Sequence, residues 1–306
     1  MNSFYKHISN ITIALIILVI AAGSIVRATQ SGMGCPDWPT CYGLIIPPTS
    51  VTQLPADYQQ VYANAGIPAE TFDAVKTWIE YINRLLGALL GLSVLIQTVL
   101  SFRFRKNTPN ILYASIALLF LTGFQGWLGA LVVSSNLAPY RITIHMLFAF
   151  LILLIANYAA SQEEEARFSM PTIFRNSGIA MALMFLQILM GTQVREEIDA
   201  LAKSLDFMQR DIWIDNLSTL FPIHRSFSLV LLGIHGWILW QCKKQEMLWK
   251  SIKVPTFLLG TGLSISILSG IVMTYLSVPA FMQPVHLVCA SLIILGLHKV
   301  MLKVRS

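Results

Sequence analysis

Charged residues are scarce in this sequence: 12% of it, against 55% hydrophobic content and a mean hydropathy of +0.66. That balance excludes a soluble globular domain of ordinary composition. Acidic residues are scarcer than basic ones, 15 against 21, yet no long basic run exists, so the excess positive charge carries no nucleic-acid signature. Cysteine is nearly absent too. Cys35, Cys41, Cys242 and Cys289 are too few for a disulfide-rich scaffold, and only the first two are close in sequence.

What the chain has instead is apolar runs of about 20 residues, the length that crosses a bilayer core. They lie at 11–27, 78–102, 109–133, 141–160, 176–194, 220–242, 254–276 and 284–301. The reading is an all-α integral membrane protein of eight transmembrane helices. Lys6 followed by Ile11 to Val26, with Ala21, Ala22 and Gly23, also has the form of a signal peptide, but the repeat described below requires an uncleaved first span. No Arg-rich transit sequence precedes it, which favours a bacterial inner membrane. Placing the N-terminus, the 103–108, 161–175 and 243–253 loops and the C-terminus in the cytoplasm collects 13 of the 21 basic residues there, counting Lys299 at the inner end of the last span. Both termini then face the cytoplasm. A long, proline-rich outer loop spans 28–77. A second one, 195–219, carries Ile198, Leu201, Leu205, Met208 and Ile212 at helical spacing, which predicts an amphipathic helix on the outer surface.

The second span is the anomalous one. Trp78 to Gly91 is apolar, yet it carries Glu80, Asn83 and Arg84, and ionisable groups at membrane depth are functional hypotheses that require partners. A near-copy occurs 141 residues later, where His224 and Arg225 stand for Asn83 and Arg84; the same offset carries Gly129 to Gly270 and His145 to His286. The chain therefore reads as two pseudo-symmetric four-helix bundles, 1–160 and 161–306, related by an axis along the membrane normal. The four selected positions all fall near the outer starts of their spans.

Two histidines facing each other inside a helical bundle can ligate a heme iron from both sides. His224 and His286 have that relation, although a lone histidine more often only hydrogen-bonds a neighbouring helix. One turn beyond the four positions lie Gly87, Ala149, Ser228 and Ala290, small enough for a flat macrocycle to approach. Arg84 and Arg225 suit heme propionates as bidentate partners, with snorkelling to headgroups as the plain alternative. Glu80 has no acidic counterpart, since position 221 is Phe221. The asymmetry suggests that the first half performs proton chemistry and the second does not; an ion pair of Glu80 with Arg84 or Arg141 is the structural alternative. Cys35 and Cys41, in an oxidising outer loop, are expected to form a disulfide.

These residues resemble the heme A synthase family: GSIVRATQSGMGCPDWPTC after the first span, Glu80 with Asn83 and Arg84, QGWLGALVV in the third span, His145, His224 with Arg225, and His286. The resemblance covers nearly the whole chain. It implies oxidation of a heme O methyl group to the formyl group of heme A, with heme b between His224 and His286 and substrate heme O in the first half beside Glu80 and His145. It also implies dioxygen as co-substrate. Membrane lipid, a heme O synthase, a membrane electron donor and a second copy of the chain are the partners it implies. One departure matters: the family commonly has a histidine where this chain has Asn83, and an amide is a poor iron ligand. Two rivals are a non-catalytic b-type electron carrier, which has little need of Glu80, and a transporter on a parallel repeat.

Overall fold

The computed structural model describes residues 3–60, 72–135, 137–161 and 168–305. Residues 61–71 of the long 28–77 loop and 162–167 of the 161–175 loop lie outside the described residues. The long helices are α1 (Ser3–Ala28), α2 (Ala74–Ser101), α3 (Pro109–Ser134), α4 (Pro139–Ser161), α5 (Pro171–Ser204) and α6 (Leu220–Lys243). They are followed by the short α7 (Glu246–Ser251), then α8 (Lys253–Tyr275) and α9 (Met282–Lys303). Phe168–Ser169 and Val304–Arg305 form a two-residue parallel pair. Among the described residues seven helices, α1 to α5, α8 and α9, are long and apolar enough to cross a membrane, so this is a multi-pass membrane protein. The 24-residue α6 is long enough as well, but His224, Arg225, His235 and Lys243 lower its hydropathy, and it is not among the seven.

Local chemistry sets the helix starts. Pro109 and Pro171 open α3 and α5, where a missing N–H breaks no bond. Asp73 caps α2, its Oδ1 accepting from the N–H groups of Val75 at 2.8 Å and Lys76 at 3.1 Å.

The chain divides into two compact units, Asn2–Ile152 and Leu153–Ser306. The division falls inside α4. The last turns of α4 make their buried polar contact with α9: Asn157 Nδ2 donates to His298 Nδ1 at 2.9 Å. In the first unit α1 packs on α2 and α2 on α3. Buried polar side chains join them, with Thr12 and Ser93 hydroxyls at 2.8 Å and Tyr5 Oη and Ser115 Oγ at 3.2 Å. Helices in lipid associate through such bonds and through close packing, since lipid tails are as apolar as leucine. In the second unit α8 and α9 touch at their backbones: a Cβ added to Gly296 would stand 2.8 Å from Pro255 O and 2.9 Å from Leu259 N.

The amphipathic surface helix expected over 195–219 takes a different form. Helix α5 runs on without interruption to Ser204 and is followed by two 3-10 turns, Arg210–Ile212 and Ile214–Asn216. Ile198, Leu201 and Leu205 pack with Val194, Ala202, Trp213 and Val278 in a small core, whereas Met208 and Ile212 are exposed. The three-and-four spacing belonged to the continuing period of α5 itself.

Candidate heme-binding site

Each of the four positions singled out by the repeat faces a glycine on the preceding long helix. In the first unit a Cβ added to Gly23 of α1 would stand 3.9 Å from Asn83 Oδ1, and one added to Gly129 of α3 would stand 3.4 Å from His145 Cε1. In the second unit a Cβ on Gly191 of α5 would come within 3.0 Å of His224 Cε1, and one on Gly270 of α8 within 3.9 Å of His286 Cε1. Glycine is what lets a ring lie so near a neighbouring helix.

A polar residue one turn before each of three of these glycines grips the histidine. Gln125 Nε2 donates to the backbone carbonyl of His145 at 2.7 Å, and Gln187 Nε2 to that of His224 at 3.0 Å. At the third histidine the bond is to the ring: His286 Nδ1 lies 3.1 Å from Ser266 O and 2.9 Å from Ser269 Oγ. A carbonyl only accepts, so Nδ1 carries the proton and Nε2 keeps its lone pair.

These donors fit a heme better than a bare ion. Among the described residues no group of three or more His, Cys, Asp or Glu is placed to hold a metal; a porphyrin brings four nitrogens of its own and asks the protein for one or two imidazoles. His224 on α6 and His286 on α9 belong to the same unit. Asn83 Oδ1, Gln125 Oε1 and His145 Nδ1 in the first unit are buried without a hydrogen-bond partner, as are Gln187 Oε1 and His224 Nδ1 in the second. Such unpartnered atoms are uncommon in native interiors and mark places where a ligand or water belongs. A Cβ added to Gly87, one turn beyond Asn83, would meet nothing within 4 Å.

Above Asn83 the chain between Ser31 and Leu44 folds onto the start of α2. The Cys35–Cys41 disulfide is formed, while Cys242 and Cys289 are buried free thiols. Asp37 organises the turn, accepting from the N–H of Tyr42 at 2.6 Å, the N–H of Gly43 at 2.9 Å and the Thr40 hydroxyl. Glu80, 4% exposed, receives the Cys35 N–H on Oε2 at 2.9 Å and Arg84 Nη2 on Oε1 at 2.5 Å. Arg84 also donates to the carbonyls of Asp37 at 2.6 Å, Thr40 at 2.9 Å and Cys35 at 2.7 Å. The ion pair considered for Glu80 is thus present with Arg84, and Arg141 instead donates to Leu131 O at 2.9 Å. The Nη groups of Arg84 are committed to protein acceptors rather than open to a propionate. Arg225 is exposed, lies 5.8 Å over the Phe221 ring, and has no carboxylate partner among the described residues.

Gly34 is where this loop meets the helix: an added Cβ would lie 2.7 Å from the backbone of Lys76 and 2.8 Å from Thr77 N. Neither backbone can yield, so Gly34→Ala is expected to cost about 1–3 kcal/mol of loop docking. Faster protease cleavage between residues 34 and 44 in the purified protein is the readout; cleavage at the wild-type rate would show that the contact is not tight.

Several of these residues were not singled out in the sequence. The signal was there as a glycine four positions after a polar residue, in QGWLG (125–129), QILMG (187–191) and SILSG (266–270). Asp37, between two prolines inside the disulfide ring, carries the turn preference of aspartate.

Comparison with known proteins places the chain in a family. A family model described as cytochrome oxidase assembly protein matches residues 6–297. Several relatives bear the name heme A synthase, among them the three that follow. The one from Shewanella oneidensis is 31% identical over 237 residues, 74% of this chain and 69% of the relative. The one from Wolbachia pipientis wMel is 25% identical over 307 residues, 89% of this chain and 84% of the relative. The one from Bartonella tribocorum is 28% identical over 159 residues, 47% and 44% of the two chains. Since the family model covers both units and every position of the candidate site, this chain belongs to the heme A synthase family of cytochrome oxidase assembly proteins.

Proposed function

We propose that the chain is a heme A synthase that converts a methyl group of heme O to a formyl group by two successive oxygen-dependent hydroxylations followed by loss of water. The observation that carries this reading is the difference between the halves. The second presents a histidine pair, His224 and His286; the first presents His145 with Asn83 and with Glu80, the sole acid of α1 to α4 among the described residues. In this reading heme b, held by His224 and His286 with Arg225 at a propionate, supplies one-electron transfer when bound.

The residues of the first half do the rest. His145 holds the iron of substrate heme O. Asn83 offers an amide rather than a ligand, which leaves the other face of the substrate open to dioxygen or water and its Oδ1 available to accept a hydrogen bond there. Glu80, three residues from Asn83 on the same helix face, moves protons at its carboxylate. Arg84 holds Glu80 and the disulfide loop together above the site, which keeps bulk water away from it.

Helix α6 serves as the eighth span, giving two four-helix halves over 1–160 and 161–306, with both termini cytoplasmic in a bacterial inner membrane and both sites in its outer half. A heme O synthase and a membrane electron donor are the partners this activity requires, and a homo-oligomer is a compatible state. The rival is a non-catalytic b-type carrier. The test is chromatography of hemes extracted from membranes of a host that makes heme O but no heme A, with and without this chain. Heme A or its hydroxylated precursor is the expected product. Unchanged heme O, with electron supply verified and heme b bound to the purified protein, would favour the carrier.

A further inference from the structure

The three histidines are not equivalent. His286 Nδ1–H donates to Ser266 O at 3.1 Å and lies 2.9 Å from Ser269 Oγ, whose own proton goes to Ser266 O at 2.9 Å. The serine hydroxyl therefore turns a lone pair to the ring. His145 and His224 have nothing comparable: Nδ1 of each is buried with no partner. The repeat makes the contrast specific, because the 141-residue offset carries Ser266 back to Gln125 and Ser269 back to Leu128. Gln125 grips the backbone of His145 rather than its ring, and Leu128 has no acceptor to offer.

An Nδ1–H bond to an oxygen fixes the tautomer and orientation of an imidazole and raises the basicity of Nε2, so the ring binds iron more tightly. Without that bond the ring is a weaker donor. A cofactor has to stay; a substrate has to arrive and its product has to leave. We propose that Ser266 and Ser269 make His286 the anchoring ligand of a resident heme, and that Gln125 and Leu128 at the matching positions leave His145 a ligand that releases its heme. The proposal rests on the heme reading above, and it assigns Ser269 and Leu128 as positioning residues that set retention against exchange.

The test uses the full-length protein in detergent, mixed in its ferric form with excess apomyoglobin as a heme acceptor. Ser269→Ala is expected to release heme b about 10- to 100-fold faster, the usual effect of losing an outer-shell partner of a metal ligand. Its midpoint potential should rise, because a less basic axial imidazole stabilises the ferric state less. Ser269→Thr retains the hydroxyl and should restore both values. In the other half Leu128→Ser should increase several-fold the heme O that co-purifies with the protein. Wild-type release rate and potential in Ser269→Ala, in a protein whose wild type shows a bis-imidazole heme spectrum, would overturn the assignment. A wild type with no such spectrum would instead defeat the heme reading, and this inference with it. If Ser269→Ala does not fold, unchanged heme O content in folded Leu128→Ser decides against the proposal.

Discussion

Replacing Arg84 with alanine is expected to undock the loop between Ser31 and Leu44 and to destabilise the protein by about 3–5 kcal/mol, the cost of leaving a buried charge without its partner. The guanidinium meets Glu80 and the carbonyls of Cys35, Asp37 and Thr40, so its removal takes one shared donor from four acceptors. Arg84→Lys keeps the charge, but a single ammonium lacks the planar fork that reaches four oxygens, so it should recover only part of the loss. Thermal unfolding in detergent and protease cleavage of the loop are the two readouts. The double variant Glu80→Gln with Arg84→Ala separates the causes. Removing the stranded carboxylate should make it more stable than Arg84→Ala alone, and equal stability would show that loop carbonyls rather than the buried charge dominate. Glu80→Gln by itself retains an oxygen for the Cys35 N–H. It should keep the loop docked and heme b bound while product formation falls to background.

Much of this was legible in the sequence because membrane helices report themselves by length and apolarity, and because a repeat reports which polar residues matter. Seven spans followed from apolar runs alone. The four candidate positions came from the 141-residue echo, and a glycine of the preceding long helix faces each of them. The role of Arg84 was not legible. Its echo with Arg225 suggested a shared task, but only the first half has a disulfide loop above it, and a loop that folds back over a distance of more than 40 residues leaves no periodic trace. The continuation of α5 to Ser204 was hidden for the opposite reason. Its spacing reads the same whether the helix lies on a membrane or extends from one, and the choice is made by tertiary packing against Trp213 and Val278.

The division between the units shows a third kind of limit. The repeat of four helices per half put the boundary at 160/161, and the tail of α4 makes a buried contact with α9 through Asn157 and His298, a pair that is itself 141 residues apart. No one-dimensional pattern marks it, because Asn157 and His298 differ in type and each alone reads as an isolated polar residue.

The histidine variants are expected to have the largest spectroscopic effects, and not equal ones. His286→Ala should lose heme b altogether, since the ligand removed is the one whose ring is fixed by Ser266 and Ser269. His224→Ala should lose the bis-imidazole spectrum yet keep a fraction of the heme as a high-spin species, because His286 remains held with Nε2 free to bind. His145→Ala should leave the heme b spectrum unchanged and reduce product to background, because the ring it removes belongs to the first unit. Absorption and electron paramagnetic resonance spectra of the three purified variants distinguish these outcomes. If His224→Ala and His286→Ala lose heme to the same extent, the Nδ1 bond is not what retains it. If His145→Ala also loses heme b, the division into an electron-transfer half and a substrate half is wrong, and the echo between Asn83 and His224 then marks shared ancestry without a divided function.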